Sequence, residues 1–460
     1  MKTGVIQFGT ESVKLNLPDF TDIFTMSTPE PLRNPVLAIE KALMNSIGSP
    51  GLDSIIQEKL AQKPDARAVV VISDNTRPVP YRGEEGILWP IIEKLLHHGF
   101  TNNHILILVA NGTHRSLTES ELRAMIDPRI FGADIPIENH NCQDTANLID
   151  LGETRRGSRI FLNRHYVEAD LKILTGLVES HFMAGVSGGR KSVCPGLIGE
   201  EGTHIFHGAA MLASSNACDL ILEGNPCHEE ALEFSRRAGV DYIINVTLDE
   251  QFNLTGVFAG ELEAAHRSAV ERLKEYVVLP VQKEYDIIIT HAGFVGINHY
   301  QAAKAGVAAS RMLKQGGRLI MVANNTDVDP IGSLRYRTML QLFKLIGTER
   351  FQQLIMSQDW TFIPDQWQVQ MWAKLYAKIS PEHFVYYSLG LQPADYVILP
   401  SVDGNRFLPE KMRYRRMIDS IPQVIEGALR QALDELCQQR IEHPNIAFLS
   451  NGPYGIPVLD

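Results

Sequence analysis

Long apolar runs are missing from these 460 residues. The longest are about strand length, too short to cross a bilayer, so no membrane span is expected. The start, Met-Lys-Thr-Gly-Val-Ile-Gln-Phe-Gly-Thr, has no long apolar core followed by a small-residue cleavage site. It does not read as a signal peptide, and the cytoplasm is the expected compartment. Cysteine is scarce and odd in number (Cys142, Cys194, Cys218, Cys227 and Cys437), with no CxxC pair. That signals neither a disulfide framework nor a cysteine-rich metal site. Basic excess is absent too: the net charge is −11, with no basic stripe, which argues against nucleic acid as a partner. An anionic small molecule in a local basic pocket is still compatible with that charge. There is no HExxH, no GxGxxG after the early strands, no GxxxxGK[ST] phosphate loop, no internal repeat and no low-complexity tract.

What is present is the composition of a soluble globular protein, 44% hydrophobic and 21% charged, in a chain long enough for two domains. Continuous apolar runs alternate with helical patterns, the signature of parallel sheets buried on both faces. After a β-rich lead-in and a helix near residue 35, strands are predicted at 68–73, 104–110 and 171–178, with a helix over 85–97 ending at Gly99. Strands at 242–248 and 254–258 and a helix over 261–276 close the first half. The Pro-containing stretch 278–281 is the boundary candidate. The pattern then restarts with a strand at 286–290, a helix at 300–313 and a strand at 318–323. A helical elaboration over 326–385 carries three of the four tryptophans, followed by a strand at 396–400 and a helix at 421–440. The expected architecture is α/β: an N-terminal domain over 1–279, possibly completed by 441–460, and a C-terminal domain over 280–440. Both should have parallel-rich sheets, with an active-site cleft between them.

Three predicted strands end in polar clusters: Ser73-Asp74-Asn75-Thr76-Arg77-Pro78, Gly112-Thr113-His114-Arg115, and His181-Phe-Met-Ala-Gly-Val-Ser-Gly-Gly-Arg-Lys191. Ligands of open α/β sheets bind at the carboxyl ends of the strands. A lone His114 could be structural and an Asp-Asn-Thr turn is often only a cap. Three such ends together favour a shared site. Lys191, walled by Gly, Val, Cys and Pro, suits covalent chemistry as a desolvated amine; turns of this kind more commonly bind phosphate. His114 and His181 suit a pair of acid/base groups, each able to serve one enantiomer of a substrate. His204 and His207, three apart, could share a helix face, but no third ligand accompanies them. One histidine bound to a metal that another molecule also holds remains open. Gln301 and Lys304 share a face near a helix N-terminus, a reasonable place for a carboxylate.

In that order and spacing, with ten residues from His181 to Lys191, sixteen more to His207, and then Tyr300-Gln301-Ala302-Ala303-Lys304, the chain resembles the nickel-dependent lactate racemase family. The resemblance implies an isomerase that inverts C2 of a 2-hydroxy acid, lactate-like or larger (aromatic, dicarboxylic or a sugar acid). It implies reversible hydride transfer to a covalently bound nickel-pincer nucleotide, the nickel complex of pyridinium-3,5-bisthiocarboxylic acid mononucleotide. Lys191 would hold that cofactor covalently, with Gly188, Gly189, Arg190, Asp74 and Thr76 around it, and His207 would be the protein's nickel ligand. His114 and His181 would be the catalytic acid/base pair. Arg77, Tyr300, Gln301 and Lys304 would hold the substrate. The implied partners are the small-molecule hydroxy acid and, transiently, cofactor-biosynthesis proteins. A nicotinamide-dependent 2-hydroxyacid dehydrogenase and a non-catalytic cofactor- or anion-binding protein are the rival readings.

Overall fold

The computed structural model describes residues 1–8 and 11–459. The chain divides into two compact units, one of residues 28–207 with 214–276, the other of 1–27, 208–213 and 277–460.

The first unit is built on a six-stranded sheet in the order Leu254–Gly260, Tyr242–Leu248, Leu171–Leu177, Ala68–Ser73, Ile105–Ala110, Ile137–Asn139. All neighbours are parallel except Leu254–Gly260, which runs antiparallel to Tyr242–Leu248. Its central strand reads Ala-Val-Val-Val-Ile-Ser and is buried on both faces, as a parallel strand covered by helices requires. The covering helices start and stop where local chemistry directs. Pro35–Met44 begins with Pro at its first position, under an Asn34 side chain that accepts from the Leu37 N–H. Leu88–His98 starts three residues later than the sequence pattern suggests, and ends at Gly99 with φ +111°, a conformation glycine adopts without a Cβ penalty. Ile91, Ile92 and Leu95 of that helix join Val70, Ile72, Ile107 and Ile173 of the sheet in one apolar core.

The second unit has its own six-stranded sheet, wholly parallel, in the order Val402–Asp403, Phe384–Ser388, Leu313–Ala323, Tyr285–His291, Ile446–Leu449, Thr21–Phe24. Both chain ends therefore belong here. Ile446–Leu449 pairs with Tyr285–His291 on one side and Thr21–Phe24 on the other, so neither 441–460 nor the first residues complete the N-terminal domain. The hairpin Lys2–Phe8/Glu11–Leu17 alternates exposed and buried residues, and it delivers Ile6, Phe8, Val13, Leu15 and Leu17 to this unit's core. The stretch 278–281 is itself a short strand, parallel to Ile456–Leu459.

Residues 326–385 are helical over Leu334–Ile346, Thr348–Ile355 and Gln366–Tyr376, but their last residues begin the strand Phe384–Ser388. The strand expected at 396–400 is not one. Pro393 opens a short helix, Pro393–Tyr396, under a Gln392/Asp395 capping box, and the Tyr396 hydroxyl accepts from the Ser388 N–H. Trp372, fully buried, stacks on His299 at 4.7 Å and donates to the Tyr336 hydroxyl at 3.0 Å. No helix among the described residues is long and apolar enough to cross a membrane.

Candidate active site

Leu171–Leu177, Ala68–Ser73 and Ile105–Ala110 are neighbours in the first unit's sheet, so the three polar clusters that follow them meet at one edge. They line a pocket of about 840 Å³, counting its open mouth. Asp74, Thr76, Arg77, His114, His181, Gly188, Lys191 and His207 all contribute. Beneath it, the buried Tyr81 hydroxyl accepts from the Ser73 N–H at 2.8 Å and lies 2.7 Å from Thr175 Oγ1, tying two strand ends together. Ser192 Oγ donates to Thr175 O at 2.9 Å, anchoring the lysine turn to the same strand.

Asp74 is 4% exposed. Its Oδ2 is 2.6 Å from His114 Nδ1, and its Oδ1 accepts from both the hydroxyl and the N–H of Thr76, at 2.6 and 3.1 Å. Burial opposes its ionisation, but the bonds from His114 and Thr76 prevail and hold its pKa below the ordinary carboxylate value. Asp74 lines the pocket with both carboxylate oxygens engaged, one by His114 and the other by Thr76. Arg77 Nε sits 3.3 Å from Glu179 Oε1, a partner the motif did not suggest.

The lysine turn depends on two glycines. Gly188 has φ +75° and ψ −174°, and a Cβ there would meet Val178 Cγ2 at 2.8 Å. The N–H of Gly189 (φ +52°) donates to the fully buried Asn245 Oδ1 at 3.0 Å. Arg190 and Gly189, expected beside the cofactor, do not line the pocket. The Arg190 guanidinium is buried at 1% exposure and donates to the carbonyls of Ala184 and Val186, both at 2.8 Å, and of Gly188 at 3.3 Å. An arginine that must satisfy its donors inside the protein folds the turn rather than facing a ligand. Lys191, half-buried, faces the pocket, with its Nζ 5.9 Å from the Phe206 ring centre. Burial, reinforced by Arg77 and Arg190, brings its ammonium down to about 7.

His207 follows the helix Glu200–Phe206, and its Nδ1 lies 3.1 Å from Thr203 O. That carbonyl can only accept, so the proton sits on Nδ1 and the lone pair on Nε2. Burial and then Lys191 pull its pKa to about 3, leaving a neutral imidazole, the form that binds metals. Among the described residues, no group of three or more His, Cys, Asp or Glu is arranged to hold a metal by itself.

Tyr300, Gln301 and Lys304 lie on the helix His299–Ser310 of the second unit, capped by Asn298 through the Gln301 N–H. Tyr300 is joined by residues that its sequence neighbourhood did not reveal. Trp367 Nε1 donates to its hydroxyl at 2.6 Å, and Phe362 stacks on Trp367 at 5.7 Å. Burial, with Asp365 nearby, raises the Tyr300 phenol well above its usual pKa.

Known proteins resemble this chain along most of its length. The Lactate racemase N-terminal domain family matches residues 8–219, and the Lactate racemase C-terminal domain family matches residues 281–385. A lactate racemase of Lactiplantibacillus plantarum is 33% identical over 379 residues, 81% of this chain and 84% of that protein. One from Thermoanaerobacterium thermosaccharolyticum is 30% identical over 351 residues, 73% of this chain and 76% of that protein. The solved lactate racemase apoprotein of T. thermosaccharolyticum shares the fold over the full length of both chains, with a TM-score of 0.80 at 24% identity. A structural-genomics protein from Thermotoga maritima aligns over 90% of this chain with a TM-score of 0.56 at 14% identity. The chain belongs to the lactate racemase family and is an isomerase.

Proposed function

We propose that this protein racemises a 2-hydroxy acid of lactate type, using a nickel-pincer nucleotide held by Lys191 and His207. The observation that carries the reading is the gathering of Lys191, His207, His114 and His181 around one pocket. The residues fit the cofactor. A lysine brought down to about 7 offers a neutral amine for a covalent bond near neutral pH. A neutral imidazole with its lone pair on Nε2 offers one metal donor. A site with a single such donor suits a metal whose other ligands come with the cofactor. When bound, the group would supply a reversible hydride acceptor, a route to C2 inversion that avoids removing the weakly acidic α-proton.

The chain's own side chains do the rest. His114 Nε2 takes or returns the hydroxyl proton, with Asp74 fixing the ring through Nδ1. His181 is its counterpart in the same pocket. Arg77, which lines the pocket, is assigned to the substrate carboxylate, as a donor suited to an anion. Gly188 lets the main chain approach the cofactor closely.

The test is production alongside a nickel-pincer biosynthesis system, followed by intact mass, nickel content and chiral analysis of L- and D-lactate. A nucleotide-sized mass increase with nickel, absent from Lys191→Ala, is expected together with racemisation. His114→Ala and His181→Ala should keep the adduct and lose turnover. Near-full activity in both variants, or an adduct persisting in Lys191→Ala, overturns the assignment.

A further inference from the structure

Buried polar atoms almost always have a hydrogen-bond partner, so one without a partner calls for a reason. In the first unit's pocket most are satisfied from within the protein. Ser187 Oγ donates to Leu177 O at 2.7 Å and accepts from the Glu179 N–H at 2.9 Å. Ser192 Oγ donates to Thr175 O, and the two oxygens of Asp74 are engaged by His114 and Thr76. Two atoms differ. Among the described residues that line the pocket, Asn111 Oδ1 and Thr203 Oγ1 are the buried side-chain atoms with no hydrogen-bond partner in the protein. Both residues are only 2% exposed.

The main chain holds both groups in place. Asn111 Nδ2 donates to Arg115 O at 3.2 Å. A carbonyl only accepts, so that end of the amide is the NH₂ and the unpartnered end is oxygen. The Asn111 N–H donates to Val109 O at 3.1 Å, and its carbonyl accepts from the His114 N–H at 2.9 Å. Thr203 lies in the helix Glu200–Phe206, and its carbonyl accepts from the His207 N–H at 3.0 Å and faces His207 Nδ1 at 3.1 Å.

The chemistry of the two atoms narrows what completes them. An amide oxygen only accepts, so it disfavours a carboxylate or phosphate and suits an uncharged donor such as O–H. A threonine hydroxyl can give or accept. Arg77 and Lys191 supply positive charge to the same pocket, so an anion is provided for elsewhere in it. We infer that Asn111 and Thr203 bind an alcohol group of the ligand, Asn111 Oδ1 accepting from its O–H and Thr203 Oγ1 bonding to it or to a neighbouring hydroxyl. This rests on the proposed reading of the site, which brings such hydroxyls from two sources, the ribose of the nucleotide and C2 of the 2-hydroxy acid.

Thr203→Val and Asn111→Leu keep the approximate shape and delete the polar atom. Thr203→Val removes no side-chain hydrogen bond within the protein, so the urea midpoint of the cofactor-free variant should not fall; a lower midpoint overturns the Thr203 assignment. When variant and wild type compete for a limiting supply of cofactor, a ribose contact predicts a roughly fivefold to tenfold smaller adduct fraction in the variant by intact mass. A contact to the C2 hydroxyl predicts a wild-type adduct fraction and a KM for lactate raised by a similar factor. The inhibition constant of propionate, which lacks the hydroxyl, should then stay unchanged. Wild-type loading together with wild-type KM in both variants overturns the inference. A wild type that takes up no adduct defeats the functional reading separately. Hydroxyl binding is then decided by calorimetry of cofactor-free protein with nicotinic acid mononucleotide and with lactate, where absent binding, or wild-type affinity in both variants, overturns it.

Discussion

The amine of Lys191 is the sharpest handle on this site. Burial, Arg77 and Arg190 together place it at about 7, against about 10.4 for an ordinary lysine. At neutral pH about half of Lys191 is then the free amine, a fraction roughly a thousandfold above that of a solvated lysine. Lower basicity returns part of that gain. If amines follow a Brønsted slope near 0.45, 3.4 units cost roughly thirtyfold in intrinsic nucleophilicity. The net advantage at pH 7 is then some tens of fold, and above about pH 9 it reverses. The assay is competitive acylation of cofactor-free protein with limiting isotopic acetic anhydride from about pH 5 to 11, read peptide by peptide in a mass spectrometer. Lys191 should titrate with a midpoint near 7, against about 10.4 for a lysine model peptide run alongside. Arg77→Gln removes the second-largest cause of the shift and should move the midpoint upward. A Lys191 midpoint near 10 in the wild type would refute the argument, because an amine that stays protonated at neutral pH is not prepared for a covalent bond.

Three further outcomes are expected. Asp74→Asn replaces an acceptor-only group with one that can also donate, freeing His114 to adopt the other tautomer; kcat should fall by roughly 10²- to 10⁴-fold with a smaller change in KM, and a wild-type pH–rate profile in that variant would contradict the pairing. Gly188→Ala forces a side chain into a φ/ψ region that essentially only glycine occupies, against Val178; urea unfolding should show a loss of about 1–3 kcal/mol, and unchanged stability would show that the turn is not under that constraint. Asp127, bonded by the Arg129 side chain and by the N–H groups of Arg129 and Gly83, is held at about 2 in the folded protein. A carboxylate with a depressed folded pKa stabilises above its unfolded value of about 3.9, and that contribution fades as pH falls toward 2. Asp127→Asn should thus be destabilising near neutrality and lose less further stability between about pH 5 and pH 3 than wild type does, as measured by urea midpoints; parallel acid profiles would refute this.

The sequence by itself determined the local order of this protein. Val-Val-Val-Ile in Ala68–Ser73 and Ile-Ile-Ile in Tyr285–His291 read as strands buried on both faces, and Gly99 marked a helix end because caps act within a few residues. It also placed Asp74, His114, His181 and Lys191 at strand ends, where a parallel sheet puts its ligands. Only the tertiary structure decided which strands lie side by side. Ile446–Leu449 and Thr21–Phe24 are more than 400 residues apart and pair with each other, since register between distant strands is set by packing and not by neighbours in the chain. The same holds for partners. Asp74 next to Thr76 suggested a cap, yet its second oxygen belongs to His114, 40 residues on. Arg190 beside Lys191 suggested a ligand contact, yet a buried guanidinium must find acceptors, and it found the carbonyls of its own turn. Trp367 reaches Tyr300 across 67 residues. Hydrogen bonds of this range depend on where two separate elements come to rest, which composition and periodicity do not encode.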